Sequence, residues 1–329
     1  MNNDRIQEIL DLMEEARLDY FLISDPQSIA YCTGYYNDPH ERMFVFMISK
    51  HGNHTLFMND LFYLDHDLDV NIVWHKDGQD AIQTIVDEMH FPGRIGIDKN
   101  WASHFLLDLM KKLPDAKYIN ASPCVDLVRM KKDLQEQVLM IESSKINDAV
   151  MEEIIPFIQE GVTEKQLAKK LDELFFNHHS TCYGAIVAFG KNAADPHHEN
   201  DDTLLRKGDC VLIDMGCVYK GYCSDMTRTF FYEGILEEEI KVYEIVKKAN
   251  EAAEAMIKPG VKLSDIDKCA RKVISDEGYG KYFTHRLGHF IGRDVHEYGD
   301  VSSVNEMEVE EGMIFSIEPG IYLEGNFGV

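Results

Sequence analysis

Positive charge is scarce in this chain: 33 Lys and Arg stand against 58 Asp and Glu, for a formal net charge of -25 at pH 7. A phosphate backbone is gripped through a basic patch, and none occurs here, which excludes nucleic acid and anionic membrane as partners. Long apolar runs are missing too. No stretch approaches the roughly 18 apolar residues of a membrane span. The first residues mix Ile6, Ile9, Leu10, Leu12 and Met13 with acids, which reads as an amphipathic helix and not as a signal peptide. The seven cysteines form no C-x-x-C pair, and their odd number fits reduced thiols in a cytoplasmic protein.

What is present is an ordinary globular composition, 45% hydrophobic and 28% charged, over 329 residues. At roughly 150 residues per domain, two domains are expected. From Tyr20 to Asn120 short β-rich runs such as Tyr20 to Ile23, Met43 to Ile48 and Arg94 to Ile97 alternate with helical segments at Asp80 to Met89 and Ala102 to Leu113, the pattern of an α/β domain. Strand signals stop around Asp126 to Asp133, and a long helical pattern runs from about Leu134 to Ile155 with Val138, Ile141 and Ala149 among its apolar positions. The boundary falls there, giving domains over 1–130 and 131–329. Thr163-x-x-Gln166 forms a capping box ahead of a second helix. Further strands are expected at Ala185 to Phe189, Cys210 to Met215, Met226 to Tyr232 and Met313 to Glu318.

Several residues carry chemistry. Asp214 ends the apolar run Val211-Leu212-Ile213, where an ionised carboxylate is costly without a compensating cation. A hairpin turning about Tyr219-Lys220 would place Asp225 directly across from it, and two facing carboxylates repel unless cations lie between them. The alternative is a turn cap at one Asp and a pairing of the other with Arg228. His285, His289 and His296 fall within twelve residues, among glycines that disfavour a helix. Glu318 ends an apolar strand pattern before Pro319-Gly320, facing away from Met313, Phe315 and Ile317. Two Asp, one His and one Glu form a hard, oxygen-rich set suited to Mn²⁺ or a similar ion. His197 and His198 sit in a loop after Pro196 and by themselves read as exposed histidines.

Gly190 to His198, Asp214-x-Gly216, Asp225-Met226-Thr227-Arg228-Thr229, His285-x-x-Gly288-His289-x-Ile291-Gly292, Val295-His296-Glu297 and Ser316-Ile317-Glu318-Pro319-Gly320 together resemble the pita-bread metallopeptidases. This family includes prolidases, proline aminopeptidases and methionine aminopeptidases. Ile29 to Gly34 resembles the opening of the creatinase-type domain carried by prolidases. The resemblance implies an α+β architecture, a creatinase-type N-terminal α/β domain followed by a pita-bread catalytic domain. It also implies two divalent metal ions, most readily Mn²⁺, with Co²⁺ or Zn²⁺ as alternatives.

In that reading Asp214 chelates one ion, Asp225 bridges both, and His289 and Glu318 bind the second. A metal-activated hydroxide would attack the scissile carbonyl, with Glu318 as proton acceptor and His197 and His296 bonding the substrate and the tetrahedral intermediate. His285 lines the proline pocket or supports the site. Arg293 could bind the substrate carboxylate or pair with the acidic loop Asp38 to Arg42 of its own or a partner subunit, the alternative being a solvated side chain. The family's fifth ligand, a Glu, would fall just beyond Val329, so a truncated catalytic domain is expected. The implied activity is hydrolysis of Xaa-Pro dipeptides by a cytoplasmic homodimer. The alternatives are a Xaa-Pro aminopeptidase acting on longer peptides and a non-catalytic binding module on the same fold.

Overall fold

The computed structural model describes residues 1–64, 66–90 and 92–329, which form two compact units, Met1–Arg129 and Met130–Val329. The first unit begins with α1 (Asn3–Glu15), β1 (Tyr20–Ile23), α2 (Pro26–Thr33), β2 (Val45–Ser49), β3 (Thr55–Asn59) and β4 (Asn71–His75). It continues with α3 (Ala81–Glu88), β5 (Arg94–Ile97), α4 (Ser103–Lys112), β6 (Lys117–Asn120) and α5 (Ser122–Met130). Its strands form one sheet in the order β4-β3-β2-β1-β5-β6, with antiparallel pairing among β1, β2 and β3 and parallel pairing outside them.

Strand period explains why this sheet is buried on both faces. Phe21, Ile23, Phe46 and Ile48 meet Ile6, Ile9 and Met13 of α1 and Val125 and Val128 of α5 on one side. Tyr20, Leu22, Val45 and Met47 meet Ile82 and Ile85 of α3 and Leu109 of α4 on the other.

The second unit opens with α6 (Leu134–Ile154) and α7 (Glu164–Asn177), the latter started by the Thr163–Gln166 capping box. Then come β7 (Thr181–Cys182), β8 (Ile186–Phe189), β9 (Cys210–Met215), β10 (Cys217–Tyr219), β11 (Tyr222–Cys223) and β12 (Met226–Phe231). They are followed by α8 (Glu237–Glu254), α9 (Leu263–Asp276), β13 (Gly288–His289), β14 (Asp300–Val301), β15 (Tyr322–Leu323) and β16 (Phe327–Gly328). β9 is the centre of an antiparallel β12-β9-β8 sheet, and its Val211, Ile213 and Met215 pack against Leu167, Leu171 and Phe175 of α7. Alternation therefore turns Asp214 to the face away from these helices.

Two expectations change here. Met313 to Glu318 is not a strand; it makes isolated bridges, Lys131 to Met313 and Phe290 to Phe315. The buried face of α6 is not the one hydropathy suggests, because Val138 and Ile141 are exposed while Ser143 and Asn147 are buried. Ser143 Oγ donates to the Cys217 carbonyl and Asn147 Nδ2 to that of Met215, so this helix packs polar side chains on strand backbone. Among the described residues no helix is long and apolar enough to cross a membrane. All seven cysteines are free.

Candidate active site

The ribbon carrying the two aspartates turns at Lys220-Gly221, one residue later than expected. Both turn residues have positive φ, 49° and 82°, as a two-residue type I′ hairpin requires, and glycine adopts the second without strain. The register follows from the turn. Asp214 lies opposite Thr227, so Asp225 is not directly across from it but two residues along, a diagonal neighbour. A two-residue offset preserves the face, so both carboxylates still project to the same side.

His289 and Glu318 arrive from neighbouring segments stitched together backbone to backbone. Glu318 N donates to the Leu287 carbonyl at 2.8 Å and Ser316 N to that of His289 at 2.8 Å. The approach is so close that a Cβ on Gly288 would lie 1.9 Å from the Ser316 carbonyl oxygen, which only glycine avoids. Helices fix both segments from behind. Asn250 of α8 donates to the Ile317 carbonyl at 2.7 Å. Fully buried Asp267 of α9 takes a two-pronged bond from Arg271 and accepts from Leu287 N, while Arg271 also donates to the Phe283 and His285 carbonyls.

The His289 ring is set by its own backbone. Nδ1–H donates to the Phe290 carbonyl at 3.1 Å, because a carbonyl can only accept, and this leaves Nε2 facing Asp225 Oδ2 at 3.2 Å and Glu318 Oε1 at 3.3 Å. Tyr183 Oη donates to Asp225 Oδ1 at 3.2 Å, and Ser316 Oγ donates to Glu318 Oε1 at 2.9 Å.

The electrostatics show the conflict of a cluster made of acceptors. Burial, with the Asp225 carboxylate alongside, pushes Asp214 up to about 7, although Thr227 bonds it. Burial raises Glu318 too, with Asp225 adding to it. For His289 burial opposes the charged ring, but the hydrogen bond to the Asp225 carboxylate and the charge of Glu318 outweigh it and raise its pKa. Carboxylates and one imidazole nitrogen converging without enough N–H donors between them are a donor set that a divalent cation fits.

His296 stands edge-on to His289, ring centroids 4.1 Å apart, and its pKa is lowered by burial first and then by His289. It is carried on a turn held by the buried Lys132–Glu297 pair at 2.8 Å, with Glu297 also accepting from Arg293 N. His285 donates from Nδ1 to the Arg286 carbonyl and accepts at Nε2 from Tyr322 Oη at 2.9 Å, and burial lowers its pKa. His197 is exposed, and its charge reaches both His285 and His296. The Arg293 guanidinium lies 5.4 Å from the Tyr222 ring centroid and beside Gly221 at the hairpin turn. Arg228 donates to the Thr227 carbonyl.

Sequence reasoning missed a second carboxylate–histidine group. Among the described residues the ligand atoms of Glu164, His198 and Asp201 lie within 4.8 Å of one another, a spacing that could hold a cation. Both Glu164 oxygens, however, face N–H donors, which makes the group a hydrogen-bonded clamp. The signal was the Glu that follows the Thr163 cap. A surface cavity of about 560 Å³ borders His198 and is lined by Lys165, Lys169 and Asp172, and none of the converging groups at His289 enters it.

Comparison with known proteins shows the family. Residues 138–329 match metallopeptidase family M24, and residues 5–131 match the creatinase/prolidase N-terminal domain. The chain belongs to the M24 metallopeptidases. An uncharacterised peptidase of Staphylococcus aureus is 34% identical over 99% of this chain and 93% of its own. A recombinant prolidase of Thermococcus sibiricus superposes with a TM-score of 0.94 at 32% identity, covering 100% of this chain and 92% of that one. A Xaa-Pro dipeptidase of Bacillus anthracis superposes with a TM-score of 0.91 at 27% identity, covering 99% and 92%.

Proposed function

We propose that this metallopeptidase hydrolyses Xaa-Pro dipeptides, with two divalent ions held by Asp214, Asp225, His289 and Glu318. The observation that carries the reading is His289: its ring is locked by its own backbone so that Nε2 points at Asp225 and Glu318. The superposable prolidase and Xaa-Pro dipeptidase structures support this substrate class. Bound ions would lower the pKa of a water molecule and polarise the scissile carbonyl.

The chain's own residues do the rest. Glu318, with its carboxyl pKa raised by burial, accepts the proton released as the water attacks and returns it to the proline nitrogen. His296, kept neutral by burial and by His289, and exposed His197 donate hydrogen bonds to the substrate and to the carbonyl oxygen as negative charge develops on it. His285 shapes the pocket with Tyr322. Arg293 engages the substrate carboxylate, a role abandoned if Arg293→Ala leaves dipeptide KM and tripeptide rejection unchanged. The proposal further takes Mn²⁺ as the working ion, and a homodimer in the cytoplasm as the working form.

Metal-stripped protein supplied with Mn²⁺ should release proline from Leu-Pro and leave Ala-Pro-Ala intact, with metal bound in the same sample. Cleavage of the tripeptide would assign an aminopeptidase instead. Folded protein that binds neither metal nor dipeptide would overturn the reading.

A further inference from the structure

Glu164 is the first residue of α7, and its side chain is fully buried. Its Oε1 accepts from Phe189 N at 2.8 Å and Asn192 Nδ2 at 2.9 Å. Its Oε2 accepts from His198 Nε2 at 2.6 Å and Asp201 N at 3.0 Å. These donors come from both sides of His197. The backbone at the helix start adds to the tie, with Glu164 N bonding the Thr203 carbonyl and Lys165 N that of Asp201. Within the loop, Asn192 also donates to Thr203 Oγ1, and Asp195 Oδ1 accepts from His197 N. The turn Gly190–Ala194 packs in turn against β15, whose Tyr322 bonds His285.

A buried carboxylate saturated by donors from four points of one loop fixes that loop as a unit, since losing any donor leaves a buried oxygen short of one of its two hydrogen bonds. The side chain of His197, in contrast, projects from the clamped frame to solvent.

We infer that Glu164 is a positioning residue for the reaction: it clamps the 189–203 loop so that the His197 ring is presented to the substrate, acting through His198 and Asn192 and touching neither substrate nor metal. This rests on the role proposed above for His197. A shift of about 1 Å in a substrate-contacting group can cost up to ~100-fold in rate, so the clamp bears on turnover as well as on folding.

The test is a double-mutant cycle on the Mn²⁺-loaded protein with Leu-Pro, monitoring bound metal throughout. His197→Ala should lower kcat/KM by ~100-fold, as loss of a donor to developing charge does. Glu164→Gln, which sets an amide N–H against the loop's donors, should lower kcat by ~10-fold with metal content unchanged. In the His197→Ala background Glu164→Gln should cost no more than about 2-fold, because one residue acts through the other. His198→Gln, which keeps a donor, should recover most of the activity that His198→Ala loses, and these variants carry the test if Glu164→Gln does not fold. Losses that multiply in the double variant, or a loss explained by lost metal, would overturn the role of Glu164 while leaving that of His197 intact. A fully active His197→Ala protein would overturn both.

Discussion

Two carboxylate–histidine clusters in the second unit use the same residue types to opposite ends. At Glu164 every carboxylate oxygen meets N–H donors, from Phe189, Asn192, His198 and Asp201, and the group is complete as it stands. At His289 acceptors face acceptors: Asp225 and Glu318 converge on one imidazole nitrogen, and Asp214 is pushed up to about 7. Composition does not separate a structural clamp from a metal site. The balance of donors against acceptors does, because a buried acceptor without a donor must be satisfied by a proton or by a cation.

The contrast breaks most visibly by substitution at the acceptor-rich cluster. Asp225→Asn should lower metal occupancy and cut kcat/KM on the order of 10³-fold, the loss expected when the ions that activate water are lost. Steady-state kinetics with elemental analysis checks it, and a variant that keeps both metal and activity would make Asp225 a structural residue.

Glu164→Gln should do the reverse, keeping metal while destabilising the fold by about 1–3 kcal/mol, the cost of leaving buried polar groups mismatched. Denaturant unfolding of metal-free protein measures this.

The two clusters should also part in their pH response. Asp214 has its folded pKa raised from 3.8 to about 7, so the stability it contributes is full below about pH 4 and lost as pH rises through 7. Metal-free protein should therefore show a falling melting temperature between those limits. Mn²⁺ should bind more tightly over the same range, since binding must displace the proton. Asp214→Asn should flatten both trends, and Glu164→Gln should change neither.

The smallest effect belongs to the frame. Thr163→Ala removes the cap that starts α7 ahead of Glu164 and should cost ~1 kcal/mol of stability with metal affinity unchanged.

The sequence carried much of this, unevenly. The strands β9 and β12 and the extent of α6 follow from apolar pattern, and the Thr163 capping box that starts α7 forms as written. The ribbon register did not follow, because apolar pattern fixes which face a residue takes but tolerates a two-residue slide. The Lys220-Gly221 turn decided it, and a glycine at the second turn position was the signal to read. The helix α2 was missed although Asp25 caps it and Pro26 opens it, cues outweighed by its β-branched and aromatic residues. Met313 to Glu318 alternates like a strand, and Ile314, Ser316 and Glu318 bond backbone to backbone with Ile291, His289 and Leu287, yet the pairing amounts only to isolated bridges, with Asn250 holding the Ile317 carbonyl. Tyr183, Ser316 and Tyr322, which orient the charged groups, carry no motif of their own and became visible only in three dimensions.

The most direct test is equilibrium binding of Mn²⁺ to metal-stripped protein at pH 8, with Asp225→Asn and Glu164→Gln measured alongside. About two ions should bind the unaltered chain, as a dinuclear hydrolytic site requires. Glu164→Gln should bind as many, and Asp225→Asn should bind markedly fewer. Binding that survives Asp225→Asn but is lost in Glu164→Gln would show that the metal sits at the other cluster and would contradict the account.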